Sequence, residues 1–312
     1  MFIGIIGNAF VIYIQRRLAN GQEDARATPT NRLTICLATA DLLTAIFLLP
    51  FPRFGNVPNN AAGNLYCHII GSRYMLWVSF RASVYTLTTI AIERFWAVVY
   101  PFFYKVWVHN NYVKYAIGAI WICPLIIRLP QMTFRVVDDC GNCITQYPSE
   151  HSRAVYGSLL FLIEFLAPFC IITYTSIRTM CELSRHTSID GGGSSGQRTR
   201  NESTRLQLLK RRLTIMFFSI CVSFMLLWTP DQLGILLYHL RVLPRDYPST
   251  AFYRISLQIA FLNAATTNPV IYSLCLPNFR RAIKDLLMCR GIDRSRESIM
   301  DLTTTSVTPS SA

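Results

Sequence analysis

The chain has 312 residues, 52% of them hydrophobic and 15% charged, a balance too apolar for an ordinary water-soluble domain. Its net charge of +13 is spread over alternate connections between apolar runs, which argues against a nucleic-acid footprint. The five histidines lie mostly at the ends of those runs, without catalytic or metal-ligand spacing, so an enzyme is not expected.

Seven apolar stretches carry the fold. Met1–Ile14 opens the chain and is too short to cross a bilayer alone. Leu33–Phe51, Ile69–Ala91, Tyr115–Leu129, Tyr156–Ile177, Leu213–Leu240 and Ile255–Leu276 follow. Most approach or exceed the roughly 20 residues that a crossing needs. No basic residue precedes the first stretch and Gln15-Arg16-Arg17 follows it, which does not suit a signal peptide. The expected fold class is an all-α membrane protein, a seven-transmembrane helix bundle over residues 1–276. Segments 15–32, 101–115, 178–212 and 277–296 hold 20 of the 30 Lys and Arg, against 8 in segments 52–75, 128–154 and 241–254. By the positive-inside rule the richer set faces the cytosol. A multi-pass plasma-membrane protein follows, with its N-terminus extracellular and its C-terminus cytoplasmic.

Between the fifth and sixth stretches, Ser184–Arg205 contains Gly191-Gly192-Gly193-Ser194-Ser195-Gly196 and is expected to form a flexible loop. After the seventh, Phe279, Ile283, Leu286 and Leu287 recur at helical spacing against Arg280, Arg281, Lys284 and Asp285. That pattern gives a short amphipathic helix over 277–289, lying against membrane lipids. Cys289 ends it, either as a palmitoylation site or as an unmodified thiol. Residues 290–312 are expected to be a disordered, phosphorylatable tail. Cys36, Cys123, Cys170, Cys221 and Cys275 sit in apolar stretches as small hydrophobes. Cys67, Cys140 and Cys143 fall in extracellular connections, where disulfides persist.

Polar or helix-breaking groups interrupt four stretches: Asp41, Glu93-Arg94-Phe95, Trp228-Thr229-Pro230 and Asn268-Pro269-Val270-Ile271-Tyr272. Such groups are costly in a bilayer, so they mark function or face a polar interior. Glu93 beside Arg94 at a helix mouth makes an ion pair that a cytosolic protein would take over. Alone, Arg94 would read as a cation snorkelling from a helix end. Pro230 frees a backbone carbonyl and permits a kink. Trp228, just above Phe224, would then repack under pressure from a ligand. Asp41, Ser83, Asn8 and Asn268 would meet in a polar pocket midway through the bundle.

These residues resemble the rhodopsin-like (class A) family of G-protein-coupled receptors, over nearly the whole chain. Gly7-Asn8 stands in the first helix and Leu37-Ala38-Thr39-Ala40-Asp41 in the second. Glu93-Arg94-Phe95 takes the place of an Asp-Arg-Tyr triplet in the third. Trp121 with Pro130 suits the fourth helix and Pro168 the fifth. Phe224, Trp228 and Pro230 suit the sixth, and Asn268-Pro269-Val270-Ile271-Tyr272 the seventh. The resemblance implies coupling to a heterotrimeric G protein and switching through Glu93, Arg94, Phe224, Trp228, Pro230, Asn268, Pro269 and Tyr272. Arrestin and a receptor kinase would bind through the tail. It also implies Na⁺ at Asp41, Ser83 and Asn268, or else a structural hydrogen-bonded network there, with Ala264 where the family often has Asn; no other cofactor is expected.

The family's extracellular disulfide would join Cys67 to Cys140 or Cys143. Cys143 is preferred, because Cys143-Ile144-Thr145-Gln146-Tyr147-Pro148 resembles a Cys-to-Trp-Pro pattern of peptide receptors. Cys67 lies two residues farther from Arg94 than the family spacing, about 3 Å of rise and roughly 200° of rotation. Either the helix starts after Cys67 or it carries a bulge. Only seven residues precede Asn8, so the first helix is expected to be truncated, and Ser176 takes the place of a Tyr in the fifth.

Leu76 stands where amine receptors place an Asp, Leu262 where opsins place a Lys, and Lys210 where many amine receptors have an acid. The chain is most similar to neuropeptide receptors, and an extracellular peptide is the expected ligand. A lipid or small-molecule ligand is the alternative within the family. A transporter or channel is the rival outside it, and would show paired half-repeats that this chain lacks. Candidate ligand-binding residues are Arg73, Leu76, Arg81, Glu164, Asp231, Gln232 and Gln258. Arg81 and Glu164 are expected to form a buried ion pair, unless Arg81 contacts the ligand directly.

Overall fold

The computed structural model describes residues 2–20, 29–50, 57–107, 110–189, 197–262, 267–268 and 270–271. The glycine tract 191–196, Asn263, Ala264, Pro269, Tyr272, the expected helix over 277–289, Cys289 and the tail 290–312 lie outside the described residues. Helices dominate, because only a helix satisfies every backbone polar group within its own segment, as lipid requires. Among the described residues four are long and apolar enough to cross a membrane: Ala61–Val99, Tyr112–Thr133, Glu150–Arg185 and Thr214–His239. The first helix, Phe2–Asn20, the second, Pro29–Phe47, and the start of the seventh, Ala251–Leu262, complete the bundle.

Side chains sort by what they touch. Leu37, Phe80, Leu87, Ile172, Ile220 and Trp228 are buried between helices. Leu226, Ile126 and Tyr174 face outward, 70%, 61% and 60% exposed. In water such an apolar jacket would drive aggregation; in a bilayer it is the lipid contact surface.

The third segment is built from three pieces, and they account for the displaced cysteine. Asn60 caps the first turn, its side chain accepting from Gly63 N at 2.9 Å, and an α-helix runs Ala61–Tyr66. A π-turn, Cys67–Gly71, inserts extra residues. Arg73 then adopts a left-handed conformation (φ 52°) before the long helix Tyr74–Val99 begins. Both sequence alternatives therefore occur together: a bulge at Cys67 and a fresh helix start after it. The displaced Cys67 bonds Cys143, with Cα atoms 5.4 Å apart. Gly71 must lack a side chain, because a Cβ there would lie 2.9 Å from Cys143 Sγ.

The fourth helix spans Asn110–Thr133, with Pro124 and Pro130 inside it. Arg128, counted above with an extracellular connection, is instead a buried residue of this helix. The correction removes one cation from the poorer set and sharpens the charge asymmetry. A two-stranded hairpin follows, β1 (Arg135–Val137) against β2 (Cys143–Thr145), pairing Val137 with Cys143. Its turn is held by the Asp138 carboxylate, which accepts from Cys140 N at 3.0 Å and Asn142 N at 2.7 Å.

The fifth segment starts with a capping box, Ser149 and Ser152 bonding each other's backbone N–H. A π-turn at Leu162–Leu166 separates Glu150–Phe161 from Ala167–Ile189 and lies where Glu164 is fully buried. The sixth helix spans Gln197–His239, 43 residues, at 1.5 Å each far longer than a bilayer is thick. The loop expected over Ser184–Arg205 is thus shorter. The fifth helix continues to Ile189 and the sixth resumes at Gln197, because 197–212 contains neither Gly nor Pro and several strong helix formers.

Candidate functional site

Three polar sites lie along the bundle axis. At one end Arg94 Nε pairs with Glu93 Oε2 at 2.8 Å. Glu93 Oε1 also accepts from Thr30 of the second helix at 3.1 Å and from Tyr104 at 2.7 Å. Tyr104 belongs to a short helix, Pro101–Trp107, beyond the third segment. Burial, then the Glu93 carboxylate, push its phenol above the ordinary tyrosine range, so it remains a donor. The Arg94 guanidinium lies 5.6 Å from the Phe217 ring of the sixth helix. Beside it, Ala91, Ser176, Thr179, Thr214 and Phe217 line a cleft of about 20 Å³, room for little more than one water. This cleft is narrow.

Midway, Asp41 is fully buried and receives two donors, Ser83 Oγ at 2.6 Å and Asn268 Nδ2 at 2.6 Å. Three helices thus share one carboxylate. Asn8 is buried as well, and its Nδ2 donates to Gly4 O of its own helix at 3.0 Å.

Above that level stands the aromatic layer around Trp228, which is wholly buried. Its ring lies 4.8 Å from Phe224, 5.1 Å from Phe80 and 5.6 Å from Phe165, centroid to centroid. The indole N–H has no hydrogen-bond partner among the described residues; ring packing and the Arg81 guanidinium, 4.5 Å from the ring centroid, hold it. Pro230, two residues on, lacks the N–H that would bond the preceding turn. A side chain without a hydrogen bond, next to a helix defect, is suited to change rotamer.

The third site is an ion cluster on the side of Trp228 facing the third helix. Arg81 Nε lies 2.8 Å from Glu164 Oε2, and both residues are buried. The expected pair therefore exists, but it has a third member. Arg128 donates through Nε to Glu164 Oε1 at 2.7 Å and through Nη2 to Oε2. Sequence reasoning missed Arg128 because it was placed at a helix end; its position seven residues after Trp121 repeats the same helix face and was the available signal. Asp231 is buried and accepts from Gln232 Nε2 at 2.9 Å. Leu76 is buried in the third helix, whereas Arg73 and Gln258 are exposed. The structure thus gathers Leu76, Arg81, Glu164, Asp231 and Gln232 in the bundle interior and leaves Arg73 and Gln258 at its surface.

Comparison with known proteins bears on this arrangement directly. Residues 7–272 match the 7 transmembrane receptor (rhodopsin family). The chain belongs to that family. Its relatives include an allatostatin-A receptor of Bombyx mori, 28% identical over 92% of this chain and 77% of that receptor. Galanin receptor type 2 of Mus musculus is 25% identical over 94% of this chain and 74% of that receptor. Neuropeptide Y receptor type 1 of Xenopus laevis is 26% identical over 91% of this chain and 77% of that receptor. As a rhodopsin-family receptor the protein is a multi-pass membrane protein and not an enzyme.

Proposed function

We propose that this receptor binds an extracellular peptide and promotes nucleotide exchange on a heterotrimeric G protein. The observation that carries the reading is the company it keeps: the relatives above are named for allatostatin-A, galanin and neuropeptide Y. Leu76 supports it, since this buried apolar residue offers an ammonium ligand no counter-ion.

In the proposed mechanism the ligand enters from the extracellular face, above Trp228, and Arg81, Glu164, Asp231 and Gln232 sense it. Arg73 and Gln258 contact its outer part. Repacking of Trp228 against Phe224 lets the sixth helix bend at Pro230 and widens the narrow cleft beside Arg94. Arg94 then exchanges Glu93 for a group of the G protein, a two-state switch. Asn268, Pro269 and Tyr272 would complete it from the seventh helix.

Na⁺ belongs to the resting side of this scheme. A carboxylate offers about four lone-pair sites, and the two donors on Asp41 occupy only part of them. With the Ser83 hydroxyl and the Asn268 side-chain oxygen, which has no hydrogen-bond partner among the described residues, the donors are all oxygen and suit a hard cation. Asp41, Ser83 and Asn268 would hold the ion, which would supply positive charge to a buried carboxylate. We further assign an extracellular N-terminus and a cytoplasmic C-terminus at the plasma membrane. Arrestin and receptor-kinase binding fall to the tail, and membrane lipids to 277–289 with Cys289 acylated.

A library of short amidated peptides applied to cells expressing the receptor, with G-protein dissociation as the readout, tests the ligand class. A response lost in Arg94→Ala at equal surface expression is expected. Silence toward peptides together with a response to lipid extracts would overturn the peptide assignment.

A further inference from the structure

Glu164 is held by two arginines, and they hold it unequally. Arg128 uses three nitrogens: Nε and Nη2 on the two Glu164 oxygens, and Nη1 on Gln131 Oε1 at 2.8 Å. Arg81 Nε lies 2.8 Å from Glu164 Oε2 as an ion pair, without the geometry of a hydrogen bond. Its Nη1 is buried with no hydrogen-bond partner among the described residues, and its Cζ lies 4.5 Å from the Trp228 ring. One turn beyond Trp228, Asp231 is 1% exposed. Its Oδ2 accepts from Gln232, while its Oδ1 has no partner among the described residues. Arg81 and Asp231 attract one another, yet no ion pair joins them. A buried cation with a spare N–H therefore lies against the switch tryptophan, and a buried carboxylate with a spare oxygen lies one turn beyond it in the same helix, with no ion pair between the two.

We propose that Arg81 is a mobile arm that exchanges Glu164 for Asp231 when Trp228 repacks, tying the third helix to the sixth in the activated receptor. The inference rests on the G-protein reading above. Arg128 makes the exchange feasible. An arginine leaving a buried carboxylate ordinarily strands an uncompensated charge; here Glu164 keeps Arg128, which neutralises it and fills both its oxygens. At the other end, Asp231 gains the cation that its burial lacks. The ligand then supplies only the difference between two paired arrangements, the condition for a population shift. Arg81 is a positioning residue in this scheme, acting through Trp228 and Asp231.

The test uses the full chain in lipid nanodiscs with a heterotrimeric G protein, measuring ligand-free guanine-nucleotide exchange per folded receptor and thermal unfolding of the same preparation. Asp231→Asn removes the active-state partner. We expect exchange to fall about fivefold or more, the scale of a coupling between two sites, with the unfolding midpoint unchanged or raised. Arg81→Gln should lower exchange likewise, and the double variant should equal either single one. Glu164→Gln releases Arg81 and should raise exchange; should it fail to fold, the Arg81 and Asp231 cycle decides alone. Additive effects of Arg81→Gln and Asp231→Asn, or a lowered midpoint with exchange unchanged, would overturn the inference while leaving the receptor reading intact. Wild-type exchange that is absent, or insensitive to Arg94→Ala, would remove both.

Discussion

Asn268 donates its side-chain amide to Asp41 across 2.6 Å, and that one bond ties the seventh helix to the second. Ser83 donates to the same carboxylate and brings in the third. Asp41→Ala strands two buried donors, each worth about 1–3 kcal/mol when unpaired, so we expect a loss of roughly 2–6 kcal/mol. Asp41→Asn keeps one acceptor and should cost less. Thermal unfolding in detergent checks both. The proposed ion adds a second readout: NaCl should raise the wild-type midpoint above that in choline chloride of equal strength. The Asp41→Asn midpoint should not differ between the two salts.

Glu93 is held by Thr30, Tyr104 and Arg94. Removing its charge frees Arg94 for a cytosolic partner. Glu93→Gln should therefore raise ligand-independent G-protein activation several-fold, and Tyr104→Phe should raise it less, because it removes one hydrogen bond to the carboxylate, worth about 1.5–3 kcal/mol, and leaves the Glu93 charge on Arg94. A bioluminescence energy-transfer assay of G-protein dissociation, at equal surface expression, would measure both. Unchanged basal activity in Glu93→Gln would contradict the lock.

Cys67 and Cys143 are 76 residues apart in sequence. A bridge closing a loop of that size contributes about 4 kcal/mol through loss of unfolded-state entropy. Cys67→Ser and Cys143→Ser should each reduce surface expression sharply and to the same extent. Cys140 is a free, exposed thiol in the hairpin turn, and Cys140→Ser should leave expression unchanged. Flow cytometry of surface-tagged receptor reads all three.

The fifth and sixth helices come into close contact where Gly157 meets His239. A Cβ at Gly157 would lie 2.3 Å from His239 Cβ, backbone-adjacent atoms that cannot swing aside. His239 is fixed there, its Nδ1–H donating to Ile235 O at 2.8 Å and its Nε2 accepting from Tyr147 OH at 3.2 Å. Gly157→Ala should cost about 1–3 kcal/mol, the usual range for overpacking. Gly118, where a Cβ meets nothing within 4 Å, supplies the control: Gly118→Ala should be neutral or slightly stabilising in the same thermal assay.

Apolar length and charge placement made the bundle legible in the sequence, since bilayer thickness and backbone satisfaction leave few choices. Asp41 with Asn268, and Glu93 with Arg94, were also legible, because a polar group in an apolar run must find a partner. The Cys67–Cys143 bridge was readable as a preference, but the π-turn that lets a displaced Cys67 reach it was not. Residues 67–71 carry no local feature that favours a π-turn over an α-turn. Arg128 escaped for a related reason: a lone arginine near a stretch's end was counted with the connection after it, whereas the helix continues to Thr133 and packs Arg128 on Glu164. Gln197–Arg205 was expected to belong to a flexible loop because it adjoins the glycine tract 191–196, whereas helix propensity without Gly or Pro extends the sixth helix back to Gln197.

The most direct measurement is nucleotide exchange on a purified heterotrimeric G protein by the receptor in nanodiscs, comparing wild type, Glu93→Gln and Arg94→Ala. Exchange above the receptor-free rate, raised in Glu93→Gln and abolished in Arg94→Ala, is the expected result. Equal rates for all three proteins and for empty nanodiscs would contradict a G-protein switch built on Glu93 and Arg94.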